Sequence, residues 1–297
     1  MCEADFADFR LREHFHVYDE LERVDIDLEI LDWKGTIERE LRVVFPINLD
    51  ESRQSYETPF GTVEMGKDEL DFSLLPSAAD SQFFPRTYGG DHALAFREAI
   101  NWIDASSPNF GAYGCLLGSD STVHIFHDES EHPMSYPMLQ HVLLSARKSL
   151  AWNPEYWYTQ PGTHRYRMTI LPHRGDWRMR YREAIGFNQR LSAFVPSQAG
   201  SRPVGALPAT QNALVLEPHN LVLTAMKKGE DDDSVILRFY EAEGNGSVAS
   251  IRLARPIQVA HRTNLIEEIE SEIPVQSDGS IQLAVKPWEI VTLRLKV

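Results

Sequence analysis

The sequence predicts an all-β protein. Three observations carry that prediction. Apolar and polar residues alternate with a period of two in segment after segment, glycine-containing turn signals separate the segments, and one dense run of chain breakers divides them into two groups. A strand sends successive side chains to opposite faces, so each alternating segment wants one buried face and one wet face.

Taken in chain order, Phe9, Leu11, Phe15 and Val17 alternate with Arg10, Arg12, His14 and His16. Val24, Ile26, Leu28 and Ile30 alternate with Asp25, Asp27 and Glu29. Leu41, Val43 and Phe45 repeat the pattern until Pro46 stops it. Met138 to Leu150 reads two ways, because Leu139, Val142, Leu143, Ala146 and Leu150 would also form one stripe of a helix. Val195 to Thr210 carries Pro196, Gly200, Pro203, Gly205 and Pro208, a breaker density that marks a linker between two β-rich units. Alternation resumes at Val235/Leu237/Phe239, Ile281/Leu283/Val285 and Val291/Leu293/Leu295. Gly244-Asn245-Gly246 and Asp278-Gly279 are expected to close hairpins. The acidic run Glu230-Asp231-Asp232-Asp233 is expected at a solvated hairpin tip, since it lacks the ligand spacing of a calcium loop.

At 297 residues, with 42% apolar and 25% charged residues, the chain can bury real cores. Its apolar runs are a few residues long, against the roughly 20 that span a bilayer. A formal net charge of −15 argues against nucleic acid and anionic membrane as partners, because both select a basic face. The start, Met1-Cys2-Glu3-Ala4-Asp5, shows no charged-then-apolar signal pattern, and a cytoplasmic location is expected. Cys2 and Cys115 are too few for a disulfide scaffold, and Cys115 reads as an unpaired core thiol.

Candidate chemistry is sparse. His124-Ile125-Phe126-His127-Asp128-Glu129-Ser130-Glu131-His132 concentrates imidazoles and carboxylates, but on a strand His124 and His127 point to opposite faces. The expectation is a strand ending in a polar loop, with no metal bound. No carboxylate pair is marked out as the two acids a glycosidase needs. Trp152, Tyr156, Trp157 and Tyr158, flanked by Arg147 and Gln160, form an aromatic block of the kind on which sugar rings stack; core and interdomain packing is the alternative.

Several segments resemble, in order, the C-terminal β-region of glycoside hydrolase family 38, the α-mannosidases. They are Ser55-Tyr56-Glu57-Thr58-Pro59-Phe60-Gly61-Thr62-Val63-Glu64, Glu98 to Asp104 with Phe110 to Leu117, Leu139 to Ser149, Trp157 to His164, and Leu171-Pro172-His173-Arg174-Gly175-Asp176-Trp177. The first departs from the family at Met65, where a basic residue is usual. His219 to Leu223, Val235 to Ala242 and Lys286 to Leu295 resemble the family's terminal β-sandwich.

The resemblance implies a large antiparallel supersandwich, similar to the galactose-mutarotase-like fold, over residues 1–200, followed by a smaller β-sandwich over 201–297. It favours an extended strand at Met138–Leu150. It implies that the family's zinc, nucleophilic aspartate and acid aspartate lie in an N-terminal α/β domain with no counterpart here. The first strands of the supersandwich also read as missing, so a domain or a truncated gene product is expected. The chain by itself is expected to hold no cofactor and to catalyse nothing. Its expected role is to scaffold the catalytic domain of an enzyme acting on mannose-containing glycans and to shape outer subsites. Arg147, Trp152, Tyr158 and Gln160 are the carbohydrate-contact candidates, while His173, Asp176 and Trp177 read as a structural turn. A stand-alone carbohydrate-binding module and a self-associating structural domain, most simply a homodimer, are the alternatives.

Overall fold

The computed structural model describes residues 1–49, 51–69, 96–109, 112–128, 130–148, 157–193 and 210–297. They divide into two compact units: Met1–Pro59 with Val63–Leu191, and Ser192–Val297 with Phe60–Thr62. The boundary expected at residues 200/201, and most of the Val195–Thr210 linker, lie outside the described residues.

The first unit is built from β1 (Cys2–Asp5), β2 (Arg10–Val17), β3 (Val24–Trp33), β4 (Arg39–Pro46), β5 (Arg53–Thr58), β6 (Gly61–Glu64), β7 (Arg97–Glu98), β8 (Trp102–Ser106), β9 (Tyr113–Ser119), β10 (Val123–Ile125), β11 (Met138–Lys148), β12 (Trp157–Tyr158), β13 (Gly162–Arg174) and one short helix, α1 (Tyr181–Asn188). One sheet runs β1-β2-β3-β13-β9-β8-β5-β6. The other runs β12-β11-β10-β7, with β4 on the opposite edge of β11. Every recorded pairing is antiparallel. Two apolar clusters fill the unit. In one, Ile103, Ala105 and Leu117 meet Phe126 and Leu139; in the other, Ile26, Leu28, Ile30 and Met168 meet Leu144 and Ala146.

The second unit holds β14 (Leu214–Glu217), β15 (Leu221–Lys228), β16 (Val235–Glu241), β17 (Ser247–Leu253), β18 (Val259–Thr263), β19 (Ile269–Ile273), β20 (Ile281–Val285) and β21 (Ile290–Lys296). A three-stranded sheet, β14-β17-β20, and a five-stranded sheet, β15-β16-β21-β18-β19, enclose one core. Leu237, Phe239, Val291, Leu293 and Leu295 from the larger sheet join Ala249, Ile251 and Ile281 from the smaller. The alternation read for these strands puts the right residues inside. Together the sheets make the all-β fold that the sequence predicts.

The structure bears out some local expectations and corrects others. Met138–Lys148 is a strand, and a register shift between Val142 and Leu144 explains its helix-like pattern. The bulge moves one residue out of phase, so Leu139 and His141 before it, and Leu144 and Ala146 after it, all turn inward. Phe15 and Val17 are 47% and 76% exposed although they stand in phase with Leu11, which packs on the core. Period two decides which face a side chain takes, but not whether another layer reaches that face. Gly244-Asn245-Gly246 closes no hairpin: it carries the chain from β16 in one sheet to β17 in the other. Asp278-Gly279 does close a tight turn, beside the Val275–Ile281 bridge. The acidic run lies, as expected, at the tip between β15 and β16, where Lys228 pairs with Asp233 at 2.6 Å. β1 and α1 are additions to the sequence reading. β1 is an acidic strand tied to β2 by Asp5–Arg10 and Glu3–Arg12 pairs at 2.6 Å each. No helix among the described residues is long and apolar enough to cross a membrane.

Candidate functional site

The structure brings three of the four carbohydrate-contact candidates to one exposed edge. Arg147, near the end of β11, is the direct ladder partner of Tyr158 on β12, so the two side chains share a face. Tyr158 is 54% exposed and its neighbour Trp157 is 46% exposed. Gln160 follows in the turn with φ at +47°, and its carbonyl accepts from His164 Nε2 at 2.7 Å. The turn is anchored one residue earlier, where the buried indole of Trp33 donates to the Thr159 carbonyl at 2.8 Å. Trp152 and Tyr156 lie outside the described residues. A guanidinium beside a half-exposed phenol is a surface that a polyhydroxylated ring can stack on and hydrogen-bond to.

The histidine-rich segment does not assemble as a cluster. His127 is exposed, while His124 is buried on β10 and meets a residue from another strand, His141 on β11. The two are ladder partners with Nδ1 atoms 2.7 Å apart. Among the described residues no group of three or more His, Cys, Asp or Glu converges to hold a metal ion. Spacing along one strand could not have revealed His141; only the β10–β11 pairing does.

The other motif residues knit strands together. His173 Nε2 lies 2.7 Å from Asp104 Oδ1, with both side chains 1% exposed, and Ser106 donates to Asp104 Oδ2. Burial pushes the Asp104 carboxyl up, and the bonds from His173 and Ser106 pull it back only in part. Trp102 and Trp177 stack with centroids 5.2 Å apart, and Asp176 caps the turn that presents Trp177. The structural-turn reading of His173, Asp176 and Trp177 therefore has a physical content: this turn is pinned to β8. On the opposite face of the same sheet, burial pushes the free Cys115 thiol up to about 12, which makes it inert.

Glu241 plays the same part in the second unit. Its fully buried carboxylate accepts from Asn220 Nδ2 at 2.8 Å and from the backbone N–H groups of Glu243, Gly244 and Trp288 at 2.9, 2.8 and 3.0 Å. Burial alone would raise this carboxyl; the four donors outweigh it and hold the group below the usual glutamate range. One side chain thus joins the three sequence segments that begin at His219, Val235 and Lys286.

An open cleft of about 520 Å³ lies beside the end of α1, lined by Arg23, Arg167, Arg190 and Phe187. Arg23 is matched by Asp25 at 3.1 Å, and Arg167 by Asp27 at 3.7 Å and by the Phe187 ring beneath it. Much of its charge is therefore neutralised within the protein.

Comparison with known proteins agrees with this architecture. Residues 220–293 match the model of the glycosyl hydrolases family 38 C-terminal beta sandwich domain. A putative mannosylglycerate hydrolase of Halalkalibacterium halodurans is 28% identical over 135 residues, 46% of this chain and 14% of the relative. An alpha-mannosidase of Saccharomyces cerevisiae is 22% identical over 93% of this chain and 24% of its own length. Human alpha-mannosidase 2C1 is 24% identical over 86% of this chain and 21% of its own length. The chain thus spans a quarter or less of these relatives. Among solved structures, a family 38 protein from Enterococcus faecalis superposes with a TM-score of 0.69 at 13% identity, covering 97% of this chain and 30% of that one. At that identity the likeness speaks for the fold.

Proposed function

We propose that the chain is a C-terminal β-region of a glycoside hydrolase family 38 protein and forms the non-catalytic part of an α-mannosidase-like enzyme. It scaffolds a zinc-dependent catalytic domain and offers outer carbohydrate subsites at the Arg147–Tyr158–Gln160 edge. One observation carries the reading: the buried acids within its family segments, Asp104 and Glu241, spend their oxygens on holding strands and turns together. An acid whose oxygens are committed to fixed internal donors is a poor proton shuttle, whereas a glycosidase needs two acids facing a sugar. The test is an assay on an aryl α-mannoside with added zinc, using the chain alone and the chain with a separately produced family 38 catalytic domain. No turnover is expected from the chain alone, and a thermal upshift of the catalytic domain is expected in the mixture. Chelator-sensitive turnover by the chain alone would overturn the reading.

A second reading is that the chain binds glycans unaided, and the exposed Tyr158 beside Arg147 favours it. Signal from the isolated chain on a glycan array decides it. Self-association as a two-fold dimer is favoured by the open edge of β1 and by the exposed Phe15 and Val17 on β2. Light scattering that gives 33.9 kDa at micromolar concentration would exclude it.

A further inference from the structure

His124 and His141 face each other across the β10–β11 ladder inside the inter-sheet core, 1% and 0% exposed. Their Nδ1 atoms are 2.7 Å apart, a distance that requires one proton between them. One ring must therefore be the Nδ1–H tautomer and the other must accept at Nδ1. Among the described residues neither Nε2 makes a hydrogen bond; the Ser121 backbone beside His124 favours its charged form, but burial outweighs it. At Nδ1 the pair is satisfied when both rings are neutral; a further proton must go to the Nε2 lone pair of the Nδ1–H ring, where it places a charge inside the core.

The surroundings offer an added charge little help. Arg97, the ladder partner of His124 on β7, turns its guanidinium to Glu69, which also takes the Tyr56 hydroxyl. Glu98, the next residue on β7, is exposed. From β4, Val43 is the partner of His141, Phe45 sets its ring edge against it, and Glu40 and Arg42 pair with each other. The titratable side chains that the facing sheet adds to this core are Tyr56 and Cys115, with Tyr166 giving its hydroxyl to the Leu143 carbonyl. In the loop after β10, His127 is exposed and Asp128 is held by the Ser130 and Met134 amides. Among the described residues, no carboxylate hydrogen-bonds either ring.

We infer that the His124–His141 pair is a proton-sensitive latch, which closes β10 onto β11 at neutral pH and lets it open in acid. β10 has three residues, and His124 is the middle one. On its other edge, among the described residues, it pairs with the two residues of β7. Loss of the central pair therefore weakens this short strand at its middle, leaving Ile125 and Phe126 to anchor one end.

The sign follows from linkage. Burial lowers His124 to about 4 and His141 well below 6.5, the latter helped by its neighbour. Each ring thus gives stability that is full above 6.5 and is lost as pH falls toward the lowered folded value.

Ring-nitrogen NMR and amide exchange of the intact chain between pH 7.5 and 5 test the latch. Both rings should stay neutral while the chain is folded, one in each tautomer. Exchange at 123–125 and 140–142, corrected for its intrinsic pH dependence, should rise about tenfold or more relative to 169–172. A His124→Phe/His141→Phe variant should lose that rise. Should it fail to fold, the wild-type data decide alone. Titration of either ring near its ordinary value in the folded chain, a flat wild-type exchange profile, or an unchanged rise in the folded double variant would each overturn the latch.

Discussion

His173 Nε2 sits 2.7 Å from Asp104 Oδ1 inside the first unit, and it joins β8, the third strand from one edge of the larger sheet, to the end of β13. The residues are 69 apart in sequence: His173 stands in the row of Gly114 and Ser106, and Asp104 lies two residues along β8 from Ser106, on the same face. Gly114 is the link between them. A Cβ at that position would lie 2.6 Å from the Ala105 carbonyl oxygen and 2.6 Å from His173 Cε1. The pair can form only because the strand between carries no side chain.

Breaking this pair from one side should be costly. His173→Ala leaves a buried carboxyl with Ser106 as its remaining partner and is expected to lose about 3–5 kcal/mol. Asp104→Asn keeps the shape and one acceptor and is expected to lose roughly 1–3 kcal/mol. Urea unfolding followed by tryptophan fluorescence, which reports on Trp102 and Trp177, gives both values.

Gly114→Ala should cost about 1–3 kcal/mol by overpacking. Combined with His173→Ala it should cost less than the sum of the two single changes, because removing the imidazole clears one of the two clashes. A double-mutant cycle on unfolding free energy measures that coupling.

Glu241 should give the second unit an acid limit. Its carboxyl is held below the usual glutamate value of 4.5, so its stability is present above that pH and is lost as pH falls through the lower folded value. Glu241→Gln presents an amide N–H to donors that need acceptors, and a loss of roughly 1.5–3 kcal/mol at pH 7 is expected. Unfolding of the variant should be flatter with pH below 4.5 than that of the wild type.

At the exposed edge, Arg147→Ala and Tyr158→Ala should leave stability within about 0.5 kcal/mol of the parent, as surface changes do. If the edge is a sugar subsite, each should weaken binding of a mannose-containing oligosaccharide by about 1 kcal/mol or more. Calorimetric titration checks this, and equal affinity in all three proteins would remove the edge from consideration.

The sequence by itself determined the all-β class, the strands with clear alternation, which face of the C-terminal strands is buried, and which family the chain resembles. Those features are local: side-chain direction follows from backbone period, and motif order follows from the chain. Phe239, Val291, Leu293 and Leu295 are inside for that reason. Tertiary structure alone decided which strands are neighbours. It placed His141 against His124, His173 against Asp104, and Glu241 against the amide of Trp288. It also turned Gly244-Asn245-Gly246 from an expected hairpin into a crossing between sheets. There Glu241 captures the Glu243 and Gly244 amides, and the positive φ of Gly244, at +75°, brings the backbone close against Trp288. Phe15 and Val17 obey the alternation and are still exposed, because burial needs a second layer, and a layer is a long-range contact that no local pattern encodes.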